Sequence, residues 1–294
     1  MKLGVVFPQT EIGNDPAVIR DYAQTAEALG YNHVLAFDHV LGAHPDHFAG
    51  RPVYNHETPF HEPFVLFGYL AAVTRTLELV TGVIILPQRQ TALVAKQAAA
   101  VDVLSGGRLR LGIGVGWNHV EYEGLGKNFK DRGRRVEEQV ALMRALWTQE
   151  LVDFEGKHES VHRAGIRPLP VQRPIPIWFG GAADVVLRRV ARVGDGWFPQ
   201  QPPGPEAAEA VEQLRRYTLE AGRRPEDIGI EPRLNMGRTP EVEWATVVDG
   251  WRDLGATHLC VNTMGMGLAS PQAHIDTIRS FAERIGAPDL KARA

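Results

Sequence analysis

Eight short β-rich runs recur along the chain, and a helical segment follows each of them. The β-rich runs are Leu3–Phe7, His33–Phe37, Leu77–Leu86, Leu109–Val115, Ile175–Phe179, Gly196–Phe198, Ile228–Leu234 and His258–Asn262. The helical segments are Pro16–Leu29, Glu62–Thr74, Ala92–Leu104, Arg132–Trp147, Ala183–Val193, Pro205–Ala221, Glu241–Leu254 and Pro271–Ile285. Asp15 reads as the N-cap of the first helix and Gly30 as its stop. Strands that alternate with helices imply a mainly parallel sheet covered by helices. Eight such units in about 250 residues match the size of a (β/α)8 barrel. A doubly wound open sheet is the competing architecture, and it usually carries a glycine-rich turn after its first strand. Here that strand runs into Phe7-Pro8-Gln9-Thr10 instead. The expected fold class is therefore α/β, a (β/α)8 TIM barrel with insertions in the loops at its C-terminal mouth. Those insertions are the polar stretch Leu41–Phe60 and the Gly- and Pro-containing stretch Glu150–Pro174. No linker rich in Pro, Gly or Ser marks a boundary, so residues 1–294 are read as a single domain.

Composition narrows the function class. The formal net charge is −3, so no strongly basic face is implied and nucleic acid is not an expected partner. The single cysteine, Cys260, rules out an internal disulfide framework and a cysteine-rich zinc site. The N-terminal run ending at Pro8 reads as neither a secretory signal nor a membrane span, and a cytoplasmic protein is expected.

Barrels of this kind place their chemistry at the C-terminal ends of the strands. The residues to inspect are Gln9, Asp38-His39, Gly82-Val83, the stretch from Gly114 to Asn118, Gly180-Gly181, Gln200 and Asn262-Thr263. His39 has the side-chain type best suited to moving a proton at neutral pH, and Asp38 could orient a ring or hold a polar edge. The same pair could instead only cap backbone at a loop start. Gly112-x-Gly114-x-Gly116 is neither a P-loop nor a dinucleotide fingerprint. Its glycines would let a flat ligand approach the backbone, or would merely bend a strand. Gly180 and Gly181 open a helix, where exposed backbone N–H groups suit a phosphate; a tight turn is the plainer alternative. The chain has 11 histidines, including His44, His47, His56 and His61 in or beside the long loop. None falls at a known ligand spacing, so no metal is expected. The long loop reads better as a lid over the mouth.

Several runs together resemble a known family. Thr81-Gly82-Val83-Ile84-Ile85-Leu86-Pro87-Gln88-Arg89 leads into Ala95-Lys96-Gln97-Ala98-Ala99. Next comes Leu104-Ser105-Gly106-Gly107-Arg108-Leu109-Arg110-Leu111-Gly112-Ile113-Gly114-Val115-Gly116-Trp117, followed by Glu121-Tyr122. Leu3-Gly4-Val5-Val6-Phe7-Pro8-Gln9, Asp38-His39 and Pro176-Ile177-Trp178-Phe179-Gly180-Gly181 agree as well. The chain resembles the bacterial luciferase-like monooxygenase superfamily, most of all the branch of oxidoreductases that use the deazaflavin coenzyme F420.

The resemblance implies a barrel that is usually a homodimer, formed on the side of the second and third helices, with a flat ring in its mouth. It implies a cis peptide at Gly82–Val83, abutting that ring. It places Asp38 and His39 at the cofactor, with His39 as the proton-transfer residue. Gly180 and Gly181 then approach the cofactor phosphate, and Trp117 and Asn118 flank the ring. Several flavin-using members carry a phosphate-binding arginine after the fourth strand, where this chain has Val115. The leading expectation is an oxidoreductase that exchanges hydride between F420 and a small organic substrate. The alternative is a two-component monooxygenase using reduced FMN and oxygen, and a third reading is a non-catalytic flavin-binding barrel.

Overall fold

The computed structural model describes residues 1–48 and 54–285. Residues 49–53 of the long polar loop and residues 286–294 of the expected domain lie outside the described residues. In chain order the elements are β1 (Lys2–Val6), α1 (Pro16–Ala28), β2 (His33–Ala36), α2 (Pro63–Val73), β3 (Glu78–Thr81), β4 (Ile84–Ile85) and α3 (Thr91–Ser105). Then follow β5 (Leu109–Gly114), α4 (His119–Gly124), α5 (Arg132–Thr148), β6 (Val152–Glu155), β7 (Ser160–Ala164), β8 (Ile177–Gly180) and α6 (Asp184–Val193). The chain continues with β9 (Gly196–Phe198), α7 (Pro205–Glu220), β10 (Gly229–Ile230), β11 (Arg233–Asn235), α8 (Trp244–Asp253), β12 (His258–Asn262) and α9 (Pro271–Ile285).

Local chemistry sets the helix limits. Asp15 accepts from the Ala17 amide at 2.8 Å, and Pro16, which needs no amide partner, opens α1. Glu62 caps α2 in the same way through the Val65 amide at 2.9 Å. Gly106, at φ 70°, closes α3 in the left-handed conformation that favours glycine.

The sheet is mostly parallel and curled, with the order β10-β9-β8-β5-β3-β2-β1-β12-β11 and β4 beside β5. Its two ends, β10 and β11, are halves of one run of chain, broken at Glu231-Pro232. The sequence suggests one continuous strand there. Pro232 has no N–H to give to a ladder, which accounts for the break. Hydrogen bonds nevertheless run on both sides of it: Glu231 N to Trp197 O at 2.9 Å, and Cys260 N to Pro232 O at 3.0 Å. The expected strand Leu77–Leu86 is likewise split, into β3 and β4, at Gly82–Val83. The insertion folds as its own antiparallel hairpin, β6 with β7.

Side-chain parity sorts the core into two layers. Leu3 and Val5 of β1, Val34 of β2, Leu111 and Ile113 of β5, and Leu259 and Val261 of β12 pack beneath the helices. Their neighbours of opposite parity, Val6, Leu35 and Cys260, join Val80, Trp178 and Phe198 on the inner face. Ala98 and Ala99 of α3 are fully buried within this chain's own outer layer.

Candidate active site

A cavity of about 430 Å³ opens where the strands end, in the size range of small-molecule sites. Its walls come from the residues that follow β2 (Phe37, Asp38, His39), β3 (Gly82, Val83), β5 (Val115, Gly116, Trp117) and β9 (Gln200). Gly180 at the end of β8, Gly181 and Arg233 of β11 complete the part of the lining that comes from the sheet, and Tyr54 comes from the long loop.

Glu121 of α4 organises the histidine. Its Oε2 lies 3.3 Å from His39 Nδ1, and its Oε1 accepts from the Val40 amide at 2.7 Å and the Leu41 amide at 3.2 Å. The carboxylate side chain is only 2 % exposed, while that of His39 is 12 % exposed. One ring nitrogen is therefore engaged from behind, which fixes the ring and leaves Nε2 as the other proton site. Phe60 at 4.8 Å, Tyr54 at 5.4 Å and Trp117 at 5.6 Å, centroid to centroid, pack around the imidazole. Replacing Glu121 with Gln keeps an acceptor for the two amides but removes the charge facing His39. Hydrogen bonds to charged groups contribute about 1.5–3 kcal/mol, so turnover should fall about tenfold to a hundredfold without loss of fold. Unchanged turnover in steady-state assays of Glu121→Gln would show that the carboxylate does not act through His39.

Asp38 is 4 % exposed and already paired. Arg89 Nη2 donates to its Oδ1 at 2.8 Å, and the Ile85 amide donates to Oδ2 at 3.2 Å. Burial raises its carboxyl and outweighs the lowering by Arg89. Arg89 also donates to Glu62 at 3.0 Å, so one guanidinium ties the loop after β2 to the start of α2.

The Gly82–Val83 peptide is cis. Around Val83 the chain is stripped of side chains: a Cβ at Gly114 would stand 2.6 Å from Val83 Cγ2, and one at Gly180 would stand 3.1 Å from Cγ1. Gly181 has φ 130°, and its carbonyl accepts from Trp197 Nε1 at 2.7 Å, which fixes the turn. These features make a wall of bare backbone on one side of the cavity.

Of the residues expected at the site, Asp38, His39, Gly82, Val83, Trp117, Gly180 and Gly181 all line the cavity. Asn118 does not. It is buried, and its side chain serves the chain itself, capping α4 through the Val120 amide at 3.1 Å and donating to Leu41 O at 3.2 Å. Gln9, Asn262 and Thr263 are likewise taken up internally: Gln9 donates to Phe37 O, Asn262 to Asn235 and Thr263 meets His274. Gln200 lines the cavity.

Residues 1–289 match the family described as luciferase-like monooxygenase. The chain belongs to that family. An uncharacterized protein of Mycobacterium tuberculosis is 34% identical over 294 residues, covering 95% of this chain and 98% of its own. An F420-dependent glucose-6-phosphate dehydrogenase of Intrasporangium calvum is 32% identical over 237 residues, 76% of this chain and 67% of its own. Two solved structures share the fold. A monooxygenase from Streptomyces bottropensis has a TM-score of 0.78 at 21% identity, with 96% and 98% of the two chains covered. An F420-dependent secondary alcohol dehydrogenase, in complex with an F420–acetone adduct, has a TM-score of 0.77 at 17% identity, covering 97% and 99%.

Three cavity residues of this luciferase-like chain escaped sequence reasoning. Glu121 enters only as part of a motif, because the turn from β5 into α4 that aims it at His39 has no periodic signal. Tyr54 sits in a loop without a period. Arg233 could have been found, since a charged residue interrupts an otherwise apolar strand run. Among the described residues no helix is long and apolar enough to cross a membrane.

Proposed function

We propose that the protein is an oxidoreductase that exchanges hydride between coenzyme F420 and a small organic substrate. The observation that carries this reading is the meeting, in one cavity, of a buried-carboxylate-held His39 with a bare backbone wall at Gly82–Val83, Gly114 and Gly180. A flat cofactor fits such a wall, and the Gly181 turn offers backbone amides to a phosphate. The identity to an F420-dependent dehydrogenase supports the deazaflavin over other flavins. Val115, at a place where several flavin-using members carry an arginine, points the same way.

In this reading Gly82, Val83, Gly180 and Gly181 hold the cofactor, with Trp117 at the cavity edge, where it is 42 % exposed. F420, when bound, would give or take the hydride at its C5. His39 gives or takes the accompanying proton at Nε2, and Glu121 steadies the imidazole as its charge changes. Arg89 and the Ile85 amide fix Asp38, which sets the edge on which the cofactor rests. Trp117, Tyr54 and Phe60 keep water from the histidine.

The same reading has the sheet closing into a (β/α)8 barrel through the broken run 229–235, as one domain with the long loop over its mouth. A homodimer fits the apolar residues left exposed on α2 and α3, among them Val65, Leu93 and Leu104. The protein should bind F420 tightly and bind FMN weakly or not at all when each is titrated by fluorescence. FMN binding without F420 binding would replace this reading with the monooxygenase one.

A further inference from the structure

We propose that the substrate of this site carries an anionic group, a carboxylate or a phosphate, and that Arg233 holds it. The inference rests on the function proposed above and adds the substrate class.

Arg233 opens β11 and pairs in register with Cys260 of β12. Cys260 belongs to the inner layer, and Leu234, the next residue, to the outer one. Parity therefore sends the Arg233 side chain inward, where it lines the cavity. Its guanidinium lies 5.2 Å from the Phe37 ring centroid. Its Nη2 donates to Gln200 Oε1 at 2.8 Å.

Several other arginines that are wholly or partly buried are matched. Arg89 meets Asp38 and Glu62, Arg110 meets Glu78 and Glu231, and Arg189 meets Glu137. Arg108 has no carboxylate but spends its donors on the carbonyls of Ala71, Thr74, Leu77 and Ser105. Among the described residues Arg233 has no carboxylate partner, and its Nε and Nη1 make no hydrogen bond. Arg233 is half-buried at the cavity wall, so its unpaired donors face the cavity, and the planar fork of a guanidinium matches a carboxylate or phosphate.

Two carboxylates also line the cavity, and both are already engaged. Glu121 accepts from the Val40 and Leu41 amides and faces His39, and Asp38 accepts from Arg89 and the Ile85 amide. Arg233 is thus the cavity cation still able to take a ligand charge. Tyr54, which also lines the cavity, packs against His39. An anion held at Arg233 would therefore share one small space with the proton-transfer residue. The Gly180–Gly181 turn lies on a different strand, so a cofactor phosphate has a separate place to bind.

The experiment starts with F420 titration of the wild type, Arg233→Met and Arg233→Lys. Calorimetry of the F420-loaded proteins then follows, with propionate and inorganic phosphate as separate probes. The wild type should bind at least one of them, and the tighter probe identifies the group. Arg233→Met should weaken that probe about tenfold to a hundredfold, the worth of a charged hydrogen bond. Arg233→Lys, which keeps the charge but not the fork, should fall between. F420 affinity should stay within about threefold, less than a single neutral hydrogen bond is worth. The proposal is overturned if neither probe binds the wild type, or if both variants bind the probe as well as the wild type does. It is also overturned if F420 affinity falls in step with the probe, because Arg233 would then be holding the cofactor. Should the wild type fail to bind F420, the proposed function fails on its own. The same probe titration on the cofactor-free proteins then decides Arg233.

Discussion

Replacing His39 with Ala should lower turnover about 10²–10⁴-fold, the usual contribution of a general acid–base group, while F420 affinity changes little. The reason is geometric. His39 lines the cavity, and a buried carboxylate holds it from behind through one ring nitrogen. It makes no hydrogen bond to Asp38 or to the glycine turns, so its loss leaves the bare backbone wall in place. Asp38→Ala is the informative contrast. That change frees Arg89 and the Ile85 amide together, which loosens the approach to β4, and cofactor binding should suffer at least as much as turnover. The two variants separate a proton-transfer role from a positioning role when kcat is set against the F420 Kd. Full turnover by His39→Ala on a confirmed substrate would move the proton to another group.

The pattern of the chain carried the architecture because every unit has the same local logic. Apolar runs bounded by Gly and Pro become strands, and capped amphipathic runs become helices. The strand order and the placing of His39, Gly82 and Gly180 follow from that alternation and from the rule that chemistry gathers at strand ends. Two expected strands broke for reasons that are visible afterwards. Pro232 cannot donate, and the chain turns at the cis Gly82–Val83 bond. What could not be read is pairing between distant side chains. Nothing in the spacing of residues 39 and 121 says that they meet. Nothing in the sequence says that Asn118 will cap a helix that only the tertiary fold reveals. Arg233 shows the same limit from the other side: its charge is plain in the sequence, but its lack of a carboxylate partner is a property of the packed structure.

The largest effect on stability should come from Glu231, beneath the cavity. It lies at the break between β10 and β11, on the same parity as Arg233, and it is fully buried. Its carboxylate binds Arg110 of β5 and lies 2.8 Å from His33 Nε2 of β2, so one side chain ties three parts of the curled sheet. Arg110 reaches on to Glu78 at 2.9 Å and lies 4.3 Å from the Trp178 ring centroid. The local shape depends on this arrangement, since a Cβ on Gly4 would run into the His33 ring. The set of His33, Glu231 and Cys260 could be taken for a metal site, but Arg110 occupies the carboxylate from the other side. Glu231→Gln would leave Arg110 buried with only Glu78, and breaking a buried pair in this way costs about 3–5 kcal/mol. Burial alone would raise the Glu231 carboxyl, but Arg110 and His33 outweigh it and hold the group far below the usual carboxylate range. A depressed carboxyl stabilises the fold above its unfolded pKa of about 4.3, and that stabilisation drains away as the pH falls below it. Urea melts of the wild type should therefore show a stability that declines below about pH 4, with Glu231→Gln lacking that share of the decline. The double change Glu231→Leu with Arg110→Met should cost less than the two single changes added together, because no charge is then left unpaired at their contact. Strict additivity in those melts would mean that the pair contributes no coupling and that the curled sheet is held by its apolar layers alone.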